Sequence, residues 1–97
     1  MKKLKWYAGG SERRAVAIEG ITTLLASLPY ESKVEPLRKI LIHYRKELRQ
    51  EESAVILVLN RFMLDLSRVL ITEKIAISDS QQKIIKSLQD LLQVRYG

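Results

Sequence analysis

Cysteine is absent from this chain of 97 residues. That excludes disulfides, thiolate nucleophiles and thiolate zinc sites, and it points to the cytosol, since a secreted domain this small usually needs covalent staples. Histidine occurs once, at His43. A His-pair metal site cannot form, nor can the Glu-x-x-His motif of di-iron bundles, and His43 reads as a structural or surface residue. Glycine is scarce, and Gly9-Gly10 lacks the pattern of a phosphate-binding loop. No cofactor and no metal are expected. Long apolar runs are missing too: the longest, Ala54 to Leu59, is far too short to span a bilayer. Glu12, Arg13 and Arg14 interrupt any signal peptide that Lys2, Lys3 and Lys5 would begin. A soluble protein that stays inside its cell is therefore expected. Strand signals are weak, with no Asn-Gly or Asp-Gly turn.

What is present is helical periodicity, four times over. Hydrophobic residues make up 46% and charged residues 29%, enough to fill one core, and the chain 1–97 reads as a single domain. The spacing predicts helices over about 12–28, 34–49, 54–73 and 79–94. In the first, Ser11 suits an N-cap. Ile18, Ile21, Leu25 and Leu28 share a face that Ala17 and Leu24 widen, Gly20 permits a close helix contact, and Pro29 ends the segment. The second opens on a Ser32-x-x-Glu35 capping box or on Pro36 in its first turn. It carries Val34, Leu37, Leu41, Tyr44 and Leu48 on one face. The third, with Ser53 as N-cap, is apolar around so much of its circumference that it should be the most buried. The fourth starts with a Ser78-x-x-Gln81 box and packs through Ile84, Ile85, Leu88, Leu91 and Leu92. Short connections make the arrangement an antiparallel up-down four-helix bundle, all-α.

Catalytic constellations are missing. The serines stand at helix starts, where capping explains them, and Asp65 lies at ion-pair spacing from Arg61 and Arg68. The net charge of +6 raises the odds of an anionic partner. A small basic nucleic-acid-binding regulator is the alternative reading. However, the basic residues are spread over all four helices rather than gathered on one, so no nucleic acid is expected. Residues 1–10 form a separate arm in which Lys2, Lys3 and Lys5 precede Trp6 and Tyr7. Such an arm either touches an anionic membrane surface or covers the end of the bundle.

Several stretches resemble a known family. Ile75-Ala76-Ile77-Ser78 through Gln81, Leu59-Asn60-Arg61-Phe62-Met63-Leu64-Asp65-Leu66-Ser67 and the closing Val94-Arg95-Tyr96-Gly97 are similar to the enterocin A immunity family. The opening Leu4-Lys5-Trp6-Tyr7-Ala8-Gly9-Gly10 is similar to that of its streptococcal members. The resemblance covers nearly the whole chain. It implies a non-enzymatic, cytoplasmic, monomeric bundle that protects a Gram-positive producer from a class IIa, pediocin-like bacteriocin. Protection would come from joining the bacteriocin bound to the mannose phosphotransferase permease. It also implies that the C-terminal half sets specificity. By position that assigns partner binding to the loop with Lys74 and Ile75 and to Arg95 and Tyr96. The last two residues otherwise serve as a cap on the bundle end. The chain stops at Gly97, so specificity through the longer tail of some members is not expected.

Overall fold

The structure is a computed structural model that describes residues 10–50 and 54–92. These form α1 (Gly10–Ser27), a 3-10 turn (Ser32–Val34), α2 (Glu35–Gln50), α3 (Val55–Thr72) and α4 (Asp79–Leu92), with no strand among the described residues. Each helix is antiparallel to its neighbours, because cross-helix partners run in opposite order. Tyr44 and Glu47 of α2 meet Asp65 and Arg61 of α3. On the other side, Gly20 and Ser27 of α1 meet Leu88 and Gln81 of α4. α1 packs on α2 and α4, α3 packs on the same two, and the α1–α3 diagonal touches only thinly. The expected four-helix bundle is what forms.

One apolar core runs through the middle. Phe62 is fully buried at its centre and meets the Tyr44 ring edge-on, with ring centroids 5.4 Å apart. The predicted face of the second segment is buried through Val34, Leu37, Leu41, Tyr44 and Leu48, and that of α4 through Ile85, Leu88 and Leu91, with Ile84 and Leu92 only half-buried. Gly20 lets α1 approach α4 closely. A Cβ there would stand 2.9 Å from Leu88 Cδ2, so a larger residue would push against a buried leucine.

Several local expectations need correction. α1 begins at Gly10, which places Ser11 inside the helix rather than at its cap. Its buried face is Ala17, Ile21, Leu24 and Leu28, with Ile18 and Leu25 only half-buried. The helix is rotated because it must serve α2 and α4 at once. The Ser32–Glu35 box does not form. The Glu35 N–H donates to the Ser32 carbonyl in the 3-10 turn, and the Glu35 carboxylate accepts from Arg38 at 2.6 Å. Pro36 then falls in the first turn of α2, where its missing N–H costs nothing. At α3 the cap position is Ala54, which offers no side-chain bond, and Ser53 lies outside the described residues. The Ser78–Gln81 box is fully made. Ser78 N–H donates to Gln81 Oε1 at 2.8 Å, and Gln81 N–H donates to Ser78 Oγ at 3.1 Å.

α3 buries more residues than any other described helix, as expected, yet part of its apolar surface stays outside. It buries Val55, Val58, Leu59, Phe62 and Leu66 but leaves Leu57, Leu64 and Ile71 mostly exposed. A helix in a four-helix bundle has two flanking neighbours and a core. Its outer third faces solvent whatever residues it carries.

Candidate binding site

Antiparallel packing brings the α1–α2 and α3–α4 connections to the same end of the molecule. Both are held by local bonds. Arg38 Nη2 donates to the Pro29 carbonyl at 2.7 Å while Nη1 holds Glu35. The same guanidinium sits 5.2 Å from the centroid of the Tyr30 ring, a cation–π distance. Tyr30 is nonetheless 97% exposed. An aromatic so exposed, on a loop pinned at its carbonyl, is the kind of anchor that dominates binding interfaces.

The opposite loop leaves α3 through a Schellman motif. Ile75 N–H donates to the Leu70 carbonyl at 3.1 Å and Lys74 N–H to the Ile71 carbonyl at 3.3 Å. That geometry puts Lys74 in the left-handed region, with φ 53°. Glycine is the usual occupant, since a Cβ crowds the following carbonyl there. The chain then enters α4 through the Ser78–Gln81 box. Gln81 Nε2 also donates to Ser27 Oγ at 2.9 Å, fastening the start of α4 to the end of α1.

Between the two loops lies an open cleft of about 240 Å³, walled by Pro29, Val34, Leu37, Ile75, Ala76 and Ile77 and flanked by Glu31 and Lys33. It is smaller than most metabolite sites, which span roughly 300–1,000 Å³. Its size suits one or two side chains of a docked peptide or protein. Among the described residues no group of His, Asp and Glu is placed to hold a metal.

Elsewhere the polar pairs are structural. Tyr44 donates its hydroxyl to Asp65, and burial pushes the Tyr44 pKa up to about 12, with Asp65 adding to the shift. Asp65 therefore serves α2. Of its two expected arginine partners, Arg68 stands 3.9 Å away and Arg61 bonds Glu47 of α2 at 2.5 Å instead. His43 Nε2 lies 2.8 Å from the same glutamate. Arg14 Nη1 donates to the Leu48 carbonyl at 2.5 Å, satisfying one of the last carbonyls of α2.

Of the residues expected to bind a partner, Lys74 and Ile75 stand at the loop end. Arg95, Tyr96 and the arm residues Lys2, Lys3, Lys5, Trp6 and Tyr7 lie outside the described residues. α4 reaches Leu92 roughly 20 Å from its start, at 1.5 Å per residue, at the end of the bundle away from that loop. Tyr30 was not singled out by the sequence reading. The available signal was an aromatic outside every apolar stripe, directly after the Pro29 stop.

The family model of the bacteriocin immunity proteins matches residues 12–93. The chain belongs to the bacteriocin immunity protein family. Its relatives agree. An immunity protein that contributes to the self-protection of bacteriocin-producing Enterococcus mundtii 15-1A has a crystal structure that superposes with a TM-score of 0.79. The two are 34% identical over 84% of this chain and 99% of that one. The solution structure of PisI gives a TM-score of 0.77 at 40% identity, covering 100% of this chain and 99% of that one. An uncharacterised 9.1 kDa protein from the region 3' of the BM1 immunity protein of Carnobacterium maltaromaticum is 32% identical over 77 residues. That match spans 79% of this chain and 95% of the relative. For a bacteriocin immunity protein the role is protective and non-enzymatic. No described helix of this immunity protein is long and apolar enough to cross a membrane.

Proposed function

We propose that this immunity protein shields its producer from a class IIa bacteriocin by docking on the cytosolic side of the complex between the bacteriocin and the mannose phosphotransferase permease. The observation that carries the reading is the loop end: an exposed Tyr30 steadied by Arg38, a lysine held at φ 53°, and a cleft of mixed polarity between the two loops. Binding energy concentrates in a few such anchors while the surrounding contacts exclude water. Lys74 and Ile75 are the partner-facing residues of the α3–α4 loop, and Tyr30 joins them from the α1–α2 loop. Arg95 and Tyr96 form a second contact, and the Lys2–Tyr7 arm adds attraction to an anionic inner membrane face. The protein acts as a monomer in the cytoplasm.

The test is expression in a sensitive strain challenged with a panel of class IIa bacteriocins. Protection against at least one peptide is expected. Tyr30→Ala and Lys74→Ala should each weaken it without lowering the helical content or the amount of protein. Unchanged killing by every peptide, including one encoded beside this gene, would sink the reading. Full protection by both variants would move the contact away from the loop end.

A further inference from the structure

α3 carries an apolar ridge that no other described residue covers. Leu57, Leu64 and Ile71 are 61%, 67% and 76% exposed. Seven residues separate each from the next, so they fall within about 40° of one another on the helix, about 160° away from the buried Phe62 and Leu66. The ridge is roughly 21 Å long, at 1.5 Å per residue. Arg61 and Arg68 lie beside it, their side chains 52% and 75% exposed. Ile71 is followed by Thr72, Glu73 and Lys74. Of the carboxylates nearby, Asp65 accepts from Tyr44, Glu47 is shared by Arg61 and His43, and Glu73 falls about 180° around the helix from Leu64.

We propose that this ridge seats the protein on an anionic lipid surface, with α3 parallel to the bilayer plane. Three features choose that occupant. A single convex row of aliphatic side chains suits the headgroup boundary, where an amphipathic helix buries its apolar face to a shallow depth. The flanking arginines complement anionic headgroups. A second copy fits poorly. Pairing like ridges would bring Arg61 and Arg68 against their equivalents on molecules that each carry +6. A strip one helix wide and roughly 21 Å long also offers only on the order of 200 Å², against about 800 Å² per partner in a stable complex. With α3 lying flat, the loop end with Tyr30 and Lys74 points along the membrane rather than away from it.

The inference stands apart from the receptor reading, because the test contains no receptor. The full chain is sedimented with vesicles of equal parts phosphatidylglycerol and phosphatidylcholine, and with vesicles of phosphatidylcholine alone. Partition onto the anionic vesicles is expected, weakening as salt is raised. The triple variant Leu57→Ser, Leu64→Ser, Ile71→Ser should partition at least tenfold less, since burying one such side chain is worth about tenfold or more. These positions are exposed, so the fold is retained, and a helical melt checks it. Because cysteine is absent, Leu64→Cys gives a single labelling site. An environment-sensitive dye there should shift to the blue on anionic vesicles, while the same dye at Ala26→Cys on α1 should not. No partition, or equal partition by the triple variant, overturns the proposal, the second result passing the role to the Lys2–Tyr7 arm. Dimers in sedimentation velocity that the triple variant abolishes would hand the ridge to a second copy.

Discussion

Lys74 lets its proposed binding role be tested apart from its backbone strain at a single position. Its φ of 53° places a non-glycine residue in the left-handed region at the end of α3. The conformation costs an L-residue with a Cβ roughly 1–2 kcal/mol. Replacing Lys74 by Gly removes that strain but restores about 0.4–1 kcal/mol of chain entropy to the unfolded state. It also removes a cation from the electronegative end of α3, worth about 0.3 kcal/mol at so exposed a site. Lys74→Ala loses the same charge and keeps the strain, so the Gly–Ala difference isolates the backbone. Gly should be the more stable of the two by about 0.5–1 kcal/mol, or roughly 2–8 °C in Tm for a domain of this size. Urea and thermal melts followed by circular dichroism measure it. In the challenge assay the order should break from stability. Both variants lose protection, the more stable one included, while Lys74→Arg retains it. A Gly variant no more stable than Ala would refute the backbone argument. Protection that simply follows stability would refute the place of Lys74 in the binding site.

Three further outcomes test the fold. Phe62→Ala at the core centre should cost about 3–5 kcal/mol, read as a lower urea midpoint, and a loss under 1 kcal/mol would contradict the packing described. Ser78→Ala should cost about 1 kcal/mol. Its effect should largely persist in a Gln81→Ala background, because Ser78 Oγ accepts from the backbone N–H of residue 81, which that substitution leaves in place. Tyr44 ionises at a pKa of about 12 in the folded protein against 10.0 ordinarily. A pKa raised by folding gives stability that is complete below the unfolded value and is lost as pH climbs through the folded one. Stability should therefore drop between pH 10.0 and about 12, and Tyr44→Phe should lose less over that window. Parallel losses in the two proteins would count against the Tyr44–Asp65 pairing.

The sequence by itself determined the number of helices, their approximate ends and the buried faces of α2 and α4. It also determined the cap at Ser78 and the stop at Pro29. These features are local: a 3.6-residue period, a side chain reaching three residues on, a ring that cannot continue a helix. The non-enzymatic role, which membership of the immunity family shows, was expected from the lack of a catalytic constellation. Tertiary structure alone decided the rest. The turn of α1 that buries Ala17 and Leu24 in place of Ile18 and Leu25 depends on where two neighbours lie. So does the fate of α3, whose apolar residues outnumber the places in the core and leave a ridge on the outside. Asp65 chose Tyr44, and Arg61 chose Glu47, because α2 stands beside them. The candidate site was half legible: Lys74 and Ile75 came from the sequence, but Tyr30 joined them only when antiparallel packing brought two loops to one end. Periodicity says that a helix has faces. Which face is covered, and by what, is settled by the elements that arrive from elsewhere in the chain.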